Sequence, residues 1–205
     1  MKLTRAGIKD RAAWAKAGIT LPGYDVETVS EKAKKEPVWV HFGIGNIFRV
    51  FIGGIADGLL EEGVMDRGIT CVETFDYDVV DKIYQPYDNL GLNVILHGNG
   101  TREYKVIGSL AEAVKAQSSD PKQWKRLKEI FASSSLQLVS FTITEKGYAL
   151  HRADGTWLPY VAADIQNGPE KATGAMAVLV AMLYVRYQVG KYPLALVSMD
   201  NCSQN

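Results

Sequence analysis

Cysteine is scarce in this chain: Cys71 and Cys202 are the only two, and neither stands in a Cys-x-x-Cys or Cys/His spacing. A disulfide scaffold and a thiolate zinc site are excluded as organising principles, and a reduced, cytoplasmic setting is expected. Excess charge is lacking too. The 23 basic residues balance 23 acidic ones, so no net field marks the chain for nucleic acid or another polyanion. Long hydrophobic runs are missing as well. The most apolar segment, Ala175 to Val185, falls short of the roughly 20 residues that cross a bilayer, so no membrane partner is expected and it reads as a buried helix. Met1-Lys2-Leu3-Thr4-Arg5 leads into charged Lys9, Asp10 and Arg11 instead of an apolar stretch, which argues against a secretory signal. The histidines His41, His97 and His151 are scattered without ligand spacing, so no metal is expected, and no Ser-His-Asp or Cys-His set can be assembled. The partners left are small molecules and other subunits.

What is present is an alternation of short apolar segments and helical periodicities. Residues 1–37 read as a helical leader: a helix around Ile8 to Lys16, a turn at Leu21-Pro22-Gly23, and a polar helix from about Asp25, a plausible N-cap, to Lys35 before Pro37. From residue 38 to 205 the pattern is that of one domain. Val38-Trp39-Val40-His41-Phe42 reads as a buried parallel strand ending at glycines. Ile47 to Glu62 follows with apolar residues at helical spacing and Gly63 as its stop. A second strand, Ile69-Thr70-Cys71-Val72, and a helix from about Tyr77 to Tyr84 complete a βαβα pattern. That pattern argues an α/β, Rossmann-like, doubly wound and mostly parallel sheet. Leu92–His97 and Arg102–Ile107 flank Gly98-Asn99-Gly100-Thr101, which predicts a β-hairpin inserted into the wound sheet. Helices are expected at about Leu110–Gln117 and, with Asp120 as cap and Pro121 at its first position, Pro121–Phe131. Leu136–Phe141 is a further strand, residues 150–170 read as loop, Thr173–Val189 as a long helix, and Leu194–Met199 as a last strand.

Four features could carry chemistry. The turn Gly43-Ile44-Gly45-Asn46 joins a strand to a helix, where the first glycine permits the tight turn, the second admits a pyrophosphate, and the helix N-terminus favours anions. Phe48 stands where a third glycine is usual, and Arg49 either neutralises phosphate or lies solvated. After the second strand comes Glu73-Thr74-Phe75-Asp76-Tyr77-Asp78. Glu73 or Asp76 is the candidate for an adenosine ribose, with the other free to cap the next helix, and an acid there repels a 2′-phosphate, which favours NAD over NADP. Thr144-Glu145-Lys146-Gly147-Tyr148 ends another strand, either as a ligand-facing cluster or as an ordinary turn. Ser198-Met199-Asp200-Asn201 ends the last one, where an asparagine amide could hold a developing alkoxide, though its composition alone is that of a loop.

Taken in order, His41-Phe42-Gly43-Ile44-Gly45-Asn46-Ile47-Phe48-Arg49, Phe75-Asp76-Tyr77 with Ile83 to Leu90, Thr142 to Tyr148, and Ser198 to Asn205 resemble the polyol-specific long-chain dehydrogenases, the mannitol dehydrogenase and mannonate oxidoreductase family. The resemblance covers nearly the whole chain. It implies that Phe48 and Arg49 belong to a GxG variant of the phosphate turn, that the domain binds NAD, and that Asn201 is one of two amides holding the substrate oxygen. Glu145 and Lys146 would lie toward the nicotinamide. The leader Lys9-Asp10-Arg11-Ala12-Ala13-Trp14 and the Asp-Asn-Cys-Ser run point to the mannonate branch, with D-mannonate and D-fructuronate as the first substrate pair and mannitol and fructose as the second.

The chain departs from the family in one respect. Members continue into a helical domain with a general acid/base lysine in a Lys-x-x-x-x-Asn-x-x-His motif, and no lysine here has asparagine five positions on. The resemblance therefore implies a cofactor half lacking its C-terminal catalytic partner, with little turnover of its own. Two other functions remain open: a non-catalytic NAD-binding or regulatory domain, and an S-adenosylmethionine-dependent methyltransferase. The latter usually carries an acid just ahead of its glycines, where this chain has His41-Phe42.

Overall fold

The computed structural model describes residues 1–201, and within them all side chains except those of Glu145 and Lys146. Cys202-Ser203-Gln204-Asn205, the end of the last motif, lies outside the described residues. In the leader, Asp10 accepts from the Ala13 amide to start α1 (Arg11–Lys16), and β1 (Ile19–Thr20) follows. Asp25 accepts from the amides of Glu27 and Thr28 and starts α2 (Val26–Lys35). Carboxylate caps of this kind satisfy amides that no helical carbonyl can reach.

The apolar strand β2 (Trp39–Phe42) leads through the glycine turn into a π-helical stretch, Phe48–Ile52, and α3 (Gly53–Glu61). β3 (Ile69–Glu73) is buried along its whole length, and a second π-helical stretch, Val80–Tyr84, follows. β4 (Gly91–Leu96) and β5 (Arg102–Ile107) form the expected antiparallel hairpin. The hairpin is inserted in the chain, but its strands do not enter the wound sheet. They make a separate three-stranded sheet with β1, which runs parallel to β5. Buried Asp57 of α3 ties this second sheet to the rest of the domain: it accepts from Tyr24 Oη at 2.5 Å and the Gly108 amide at 2.9 Å and pairs with Lys105 Nζ at 2.8 Å.

The remaining elements are β6 (Leu110–Lys115), α4 (Pro121–Ala132), β7 (Leu138–Phe141), α5 (Thr144–Tyr148), α6 (Pro159–Asn167), α7 (Ala175–Val189) and β8 (Ala195–Ser198). Leu110–Gln117 is thus not a helix. Its alanine, glutamate and lysine favour a helix by tenths of a kcal/mol each. Pairing along β3 while burying Leu110, Ala111 and Val114 outweighs that preference. Residues 150–170 are not all loop either, because Pro159 opens α6 at a position where proline costs nothing. Nor is the Ala175–Val185 segment buried all round: Val178, Leu179, Ala181 and Met182 face the core, while Val180 and Tyr184 are exposed.

The main sheet is wholly parallel in the order β6-β3-β2-β7-β8. Its two faces are covered separately. Val40, Phe42, Val72, Val114, Val139 and Phe141 pack against α4 and α7, whereas Ile69 and Cys71 pack with Ile44, Phe48, Ile52 and Ala56 on the side of α3. Chain order reverses between β2 and β7, so a crevice opens there at the carboxyl ends of the strands. Among the described residues no helix is long and apolar enough to cross a membrane.

Candidate functional site

The crevice at this reversal is a cleft of about 890 Å³, lined by the glycine turn, Glu73 to Phe75, Tyr77, Gln117 to Ser119, Thr142 to Thr144, Tyr160 and Ala172 to Ala175. Gly43 sits against the neighbouring strand with φ +86°, and a Cβ built on it would stand 2.1 Å from the Thr142 carbonyl oxygen. Only glycine tolerates both the left-handed backbone and that approach. Gly45 is the opposite case. A Cβ there would meet nothing within 4 Å, which leaves the space ahead of the turn free for a ligand.

Glu73, at the end of β3, is buried and lines the cleft. Its Oε1 accepts from the amides of Thr74 and Phe75 at 3.0 Å and of Asp76 at 3.4 Å, and its Oε2 accepts from the Ile44 amide at 3.4 Å. The carboxylate thus ties the acidic loop to the glycine turn. Asp76 is exposed, does not itself line the cleft and has no side-chain hydrogen bond among the described residues, and Asp78 pairs with Lys82 at 2.6 Å, which holds its carboxyl below the usual carboxylate range. Of the two candidate acids, one is committed to the protein and the other faces solvent. Phe75, exposed to 93%, stands beside them with its ring in the open.

Phe48, in place of a third glycine, is fully buried and stacks on His41, with ring centroids 4.1 Å apart and planes 9° from parallel. Arg49 hydrogen-bonds Asn46 and lies 5.9 Å above the Tyr84 ring, whose hydroxyl donates to the Ile44 carbonyl at 2.9 Å. Neither Asn46 nor Arg49 lines the cleft. Thr144 does, with φ +66°, and it opens α5. The side chains of Glu145 and Lys146 lie outside the described part of the chain. Asn201 is exposed and follows Asp200, whose carboxylate accepts from the Ile143 amide at 3.0 Å and from Tyr148 Oη at 2.8 Å. Asp200 thereby ties the end of β8 to the start of α5, next to the cleft wall. Among the described residues no group of His, Cys, Asp and Glu could hold a metal ion.

Several cleft residues escape a reading of the sequence. Gln117 falls at the end of an expected helix and Ser118 just beyond it, and their signal lies one step further on, in the Asp120-Pro121 helix start that requires a loop before it. Tyr160 comes from the segment read as loop, and Thr173 and Gly174 from the expected start of the long helix, which begins instead at Ala175; Asp164 accepts from the amides of Thr173 and Gly174 at 2.9 and 2.8 Å. No local pattern marks them as neighbours of Gly43.

Against known families, residues 37–205 match the model described as the mannitol dehydrogenase Rossmann domain. The chain belongs to the mannitol dehydrogenase family. The D-mannonate oxidoreductase of Thermotoga maritima is 48% identical over 205 residues, covering 100% of this chain and 38% of that protein. The crystal structure of a D-sorbitol dehydrogenase in substrate-free form is 27% identical, with a TM-score of 0.75 over 91% of this chain and 37% of that one. A mannitol 2-dehydrogenase of Pseudomonas fluorescens, solved as a ternary complex with NAD and D-mannitol, has a TM-score of 0.78 over 98% of this chain and 39% of its own. At 24% identity that likeness bears on the fold alone. The chain therefore spans less than two-fifths of the length of each of these relatives, and what it supplies to the family is its Rossmann domain.

Proposed function

We propose that this chain is the NAD-binding part of a dehydrogenase that interconverts a sugar acid or polyol with its keto form, D-mannonate and D-fructuronate before mannitol and fructose. The observation that carries the cofactor reading is the contrast within the glycine turn. Gly43 is pressed onto the Thr142 carbonyl, while Gly45 opens onto free space at a helix start in the sheet crevice. A pyrophosphate fits such a place because the N-terminal end of the helix and its dipole face the open space beside Gly45. The substrate reading rests on the likeness to the Thermotoga relative.

In this reading the backbone of Gly43, Ile44 and Gly45 receives the pyrophosphate, with Asn46 and Arg49 next to it on the helix. Asp76 accepts the adenosine ribose hydroxyls, and Glu73 holds the loop that presents Asp76. An acid at that place disfavours a 2′-phosphate, hence NAD over NADP. Thr144, Glu145 and Lys146 lie toward the nicotinamide, and Asn201 donates its amide to the reacting oxygen. NAD bound there would supply the acceptor for the hydride of the alcohol carbon. The alcohol proton needs an acceptor as well, and we assign it to a lysine in polypeptide outside these 205 residues, packed over the cleft. Residues 1–37 are then a leader, helical apart from β1, to the domain formed by 38–205, and the setting is the cytoplasm.

Titration calorimetry with NAD, NADP and S-adenosylmethionine tests the cofactor. NAD should bind most tightly; tighter binding of S-adenosylmethionine, or no binding of either nucleotide, refutes the reading. Oxidation of D-mannonate or mannitol by residues 1–205 alone would show that the proton acceptor lies within them.

A further inference from the structure

Four polar side chains lie in a row beneath the glycine turn, on the sheet face that packs against α3. Trp39 Nε1 lies 2.7 Å from Ser140 Oγ, which lies 2.7 Å from His41 Nδ1. His41 Nε2 lies 2.8 Å from Thr142 Oγ1, which lies 2.8 Å from the Gly43 carbonyl oxygen. The parallel register of β2 and β7 sets this row, since it places His41 opposite Ser140 and Phe42 opposite Phe141, with Thr142 next in line.

The two ends of the row fix the direction of every bond between them. A carbonyl oxygen only accepts, so the Thr142 hydroxyl spends its single hydrogen on Gly43. His41 Nε2 then has to donate to Thr142 Oγ1. An indole N–H only donates, so Ser140 Oγ accepts from Trp39 and has its own hydrogen left for His41 Nδ1. All donors and acceptors are matched only with His41 neutral and protonated at Nε2. A second proton would leave the Ser140 hydrogen without its acceptor in the row and put a charge on a fully buried ring, and burial holds the His41 pKa down to about 3.

The row ends on the peptide between Gly43 and Ile44. Thr142 holds its carbonyl, and Glu73 Oε2 faces its amide at 3.4 Å on the other side. We propose that His41, as its neutral Nε2–H tautomer, is a positioning residue that orients the Gly43–Ile44 peptide through Thr142, in a one-way relay beginning at the Trp39 indole. The relay fixes the plane of the first peptide of the turn, and with it the path of the backbone to Gly45 beside the open cleft where a phosphate would approach; this consequence for binding rests on the NAD reading above.

The test is NMR of the 205-residue chain with ¹⁵N-labelled imidazole, in which His97→Gln and His151→Gln leave His41 as the single histidine. A protonated Nε2 and a bare Nδ1, unchanged between about pH 5 and pH 8, are expected. The Nδ1–H tautomer, or titration within that range, overturns the relay. Thr142→Val should displace the Ile44 amide and the His41 Nε2 resonances and weaken NAD binding about three- to tenfold, the worth of one hydrogen bond. Thr142→Ser keeps the hydroxyl and should restore all three to within about twofold of the unmodified chain. Unmoved resonances in Thr142→Val, or a Thr142→Ser variant as weak as Thr142→Val, overturn the positioning role. If the unmodified chain fails to bind NAD, the cofactor reading falls by itself, while the imidazole and amide resonances still decide the relay.

Discussion

Strands β2 and β8 are both short, apolar and parallel members of one sheet, yet they live in different surroundings. In Trp39-Val40-His41-Phe42 the last three residues are buried, with Phe42 wedged among Phe131 and Phe141 and His41 stacked on Phe48. In Ala195-Leu196-Val197-Ser198 every residue is exposed, Leu196 to 48%, although the register with β7 is regular. The difference is one of position: β2 has a strand on each side and a helical layer on each face, whereas β8 closes the sheet at its edge. An apolar run states what a segment is able to bury, and its neighbours decide what it does bury. The glycine turn is attached to the rigid member of the pair, as a preorganised phosphate cradle requires, while Asn201 follows the looser one.

The contrast can be broken most directly in the cores of the two strands. Phe42→Ala should cost about 3–5 kcal/mol, the range for a large aromatic removed from a packed interior, whereas Leu196→Ala should cost less than about 1 kcal/mol. Urea denaturation of both variants checks this, and equal losses would mean that β8 is as well supported as β2.

A second prediction sharpens the role of burial through pH. His41 has its pKa lowered from 6.5 to about 3 by burial, so the unfolded chain binds a proton in this interval that the folded chain does not. Stability should therefore be complete above pH 6.5 and fall as the pH drops toward 3, by up to about 1.4 kcal/mol per pH unit. His41→Phe should flatten the slope between about pH 6.5 and 5, where carboxylates contribute little. An unchanged slope in denaturation curves across that interval would place the acid sensitivity elsewhere.

The two glycines after β2 should separate folding from binding. Gly43→Ala meets both the positive φ and the Thr142 carbonyl and should lose about 1–3 kcal/mol of stability along with NAD affinity. Gly45→Ala meets nothing and should keep its stability to within about 0.5 kcal/mol while still weakening NAD. A Gly45→Ala variant that binds NAD like the unmodified chain removes the pyrophosphate from that turn. The two acids after β3 should divide in the same manner. Glu73→Ala strands the amides of Thr74 and Phe75 and should destabilise by about 1–3 kcal/mol, whereas Asp76→Ala should leave the melting curve in place and lower NAD affinity. The smallest effect is expected at the edge strand. Leu196→Lys should shift stability by less than about 0.5 kcal/mol yet raise the concentration at which the chain stays monodisperse in light scattering, because a charge on an edge strand discourages pairing with another chain.

Much of the wound sheet is legible in the residues themselves. β2, β3, β7 and β8 are largely apolar runs, the helix caps Asp25 and Asp120 stand where a carboxylate meets free amides, and Gly43 marks a turn that no other residue could make. These signals are local, because periodicity, capping and backbone sterics act within a few residues. β6 is not legible, since its alanines and charged residues favour a helix until β3 offers it hydrogen bonds and a place for Leu110 and Val114. The hairpin is legible as a hairpin but not in its destination, where it pairs with β1 and is tied down by Asp57, Tyr24 and Lys105 from three distant parts of the chain. The candidate site divides along the same line. The sequence by itself determined the glycine turn, the acids after the second strand and the polar ends of two others, because each is a short motif whose chemistry travels with it. Only the tertiary structure decided that Glu73 clamps the turn while Asp76 stays open, that Gln117, Tyr160 and Thr173 wall the cleft, and that His41 faces Ser140 and Thr142 across a strand boundary. Those facts depend on register and packing between residues 29 positions apart for Glu73 and Ile44 and 99 and 101 apart for the contacts of His41, and no local pattern carries that information.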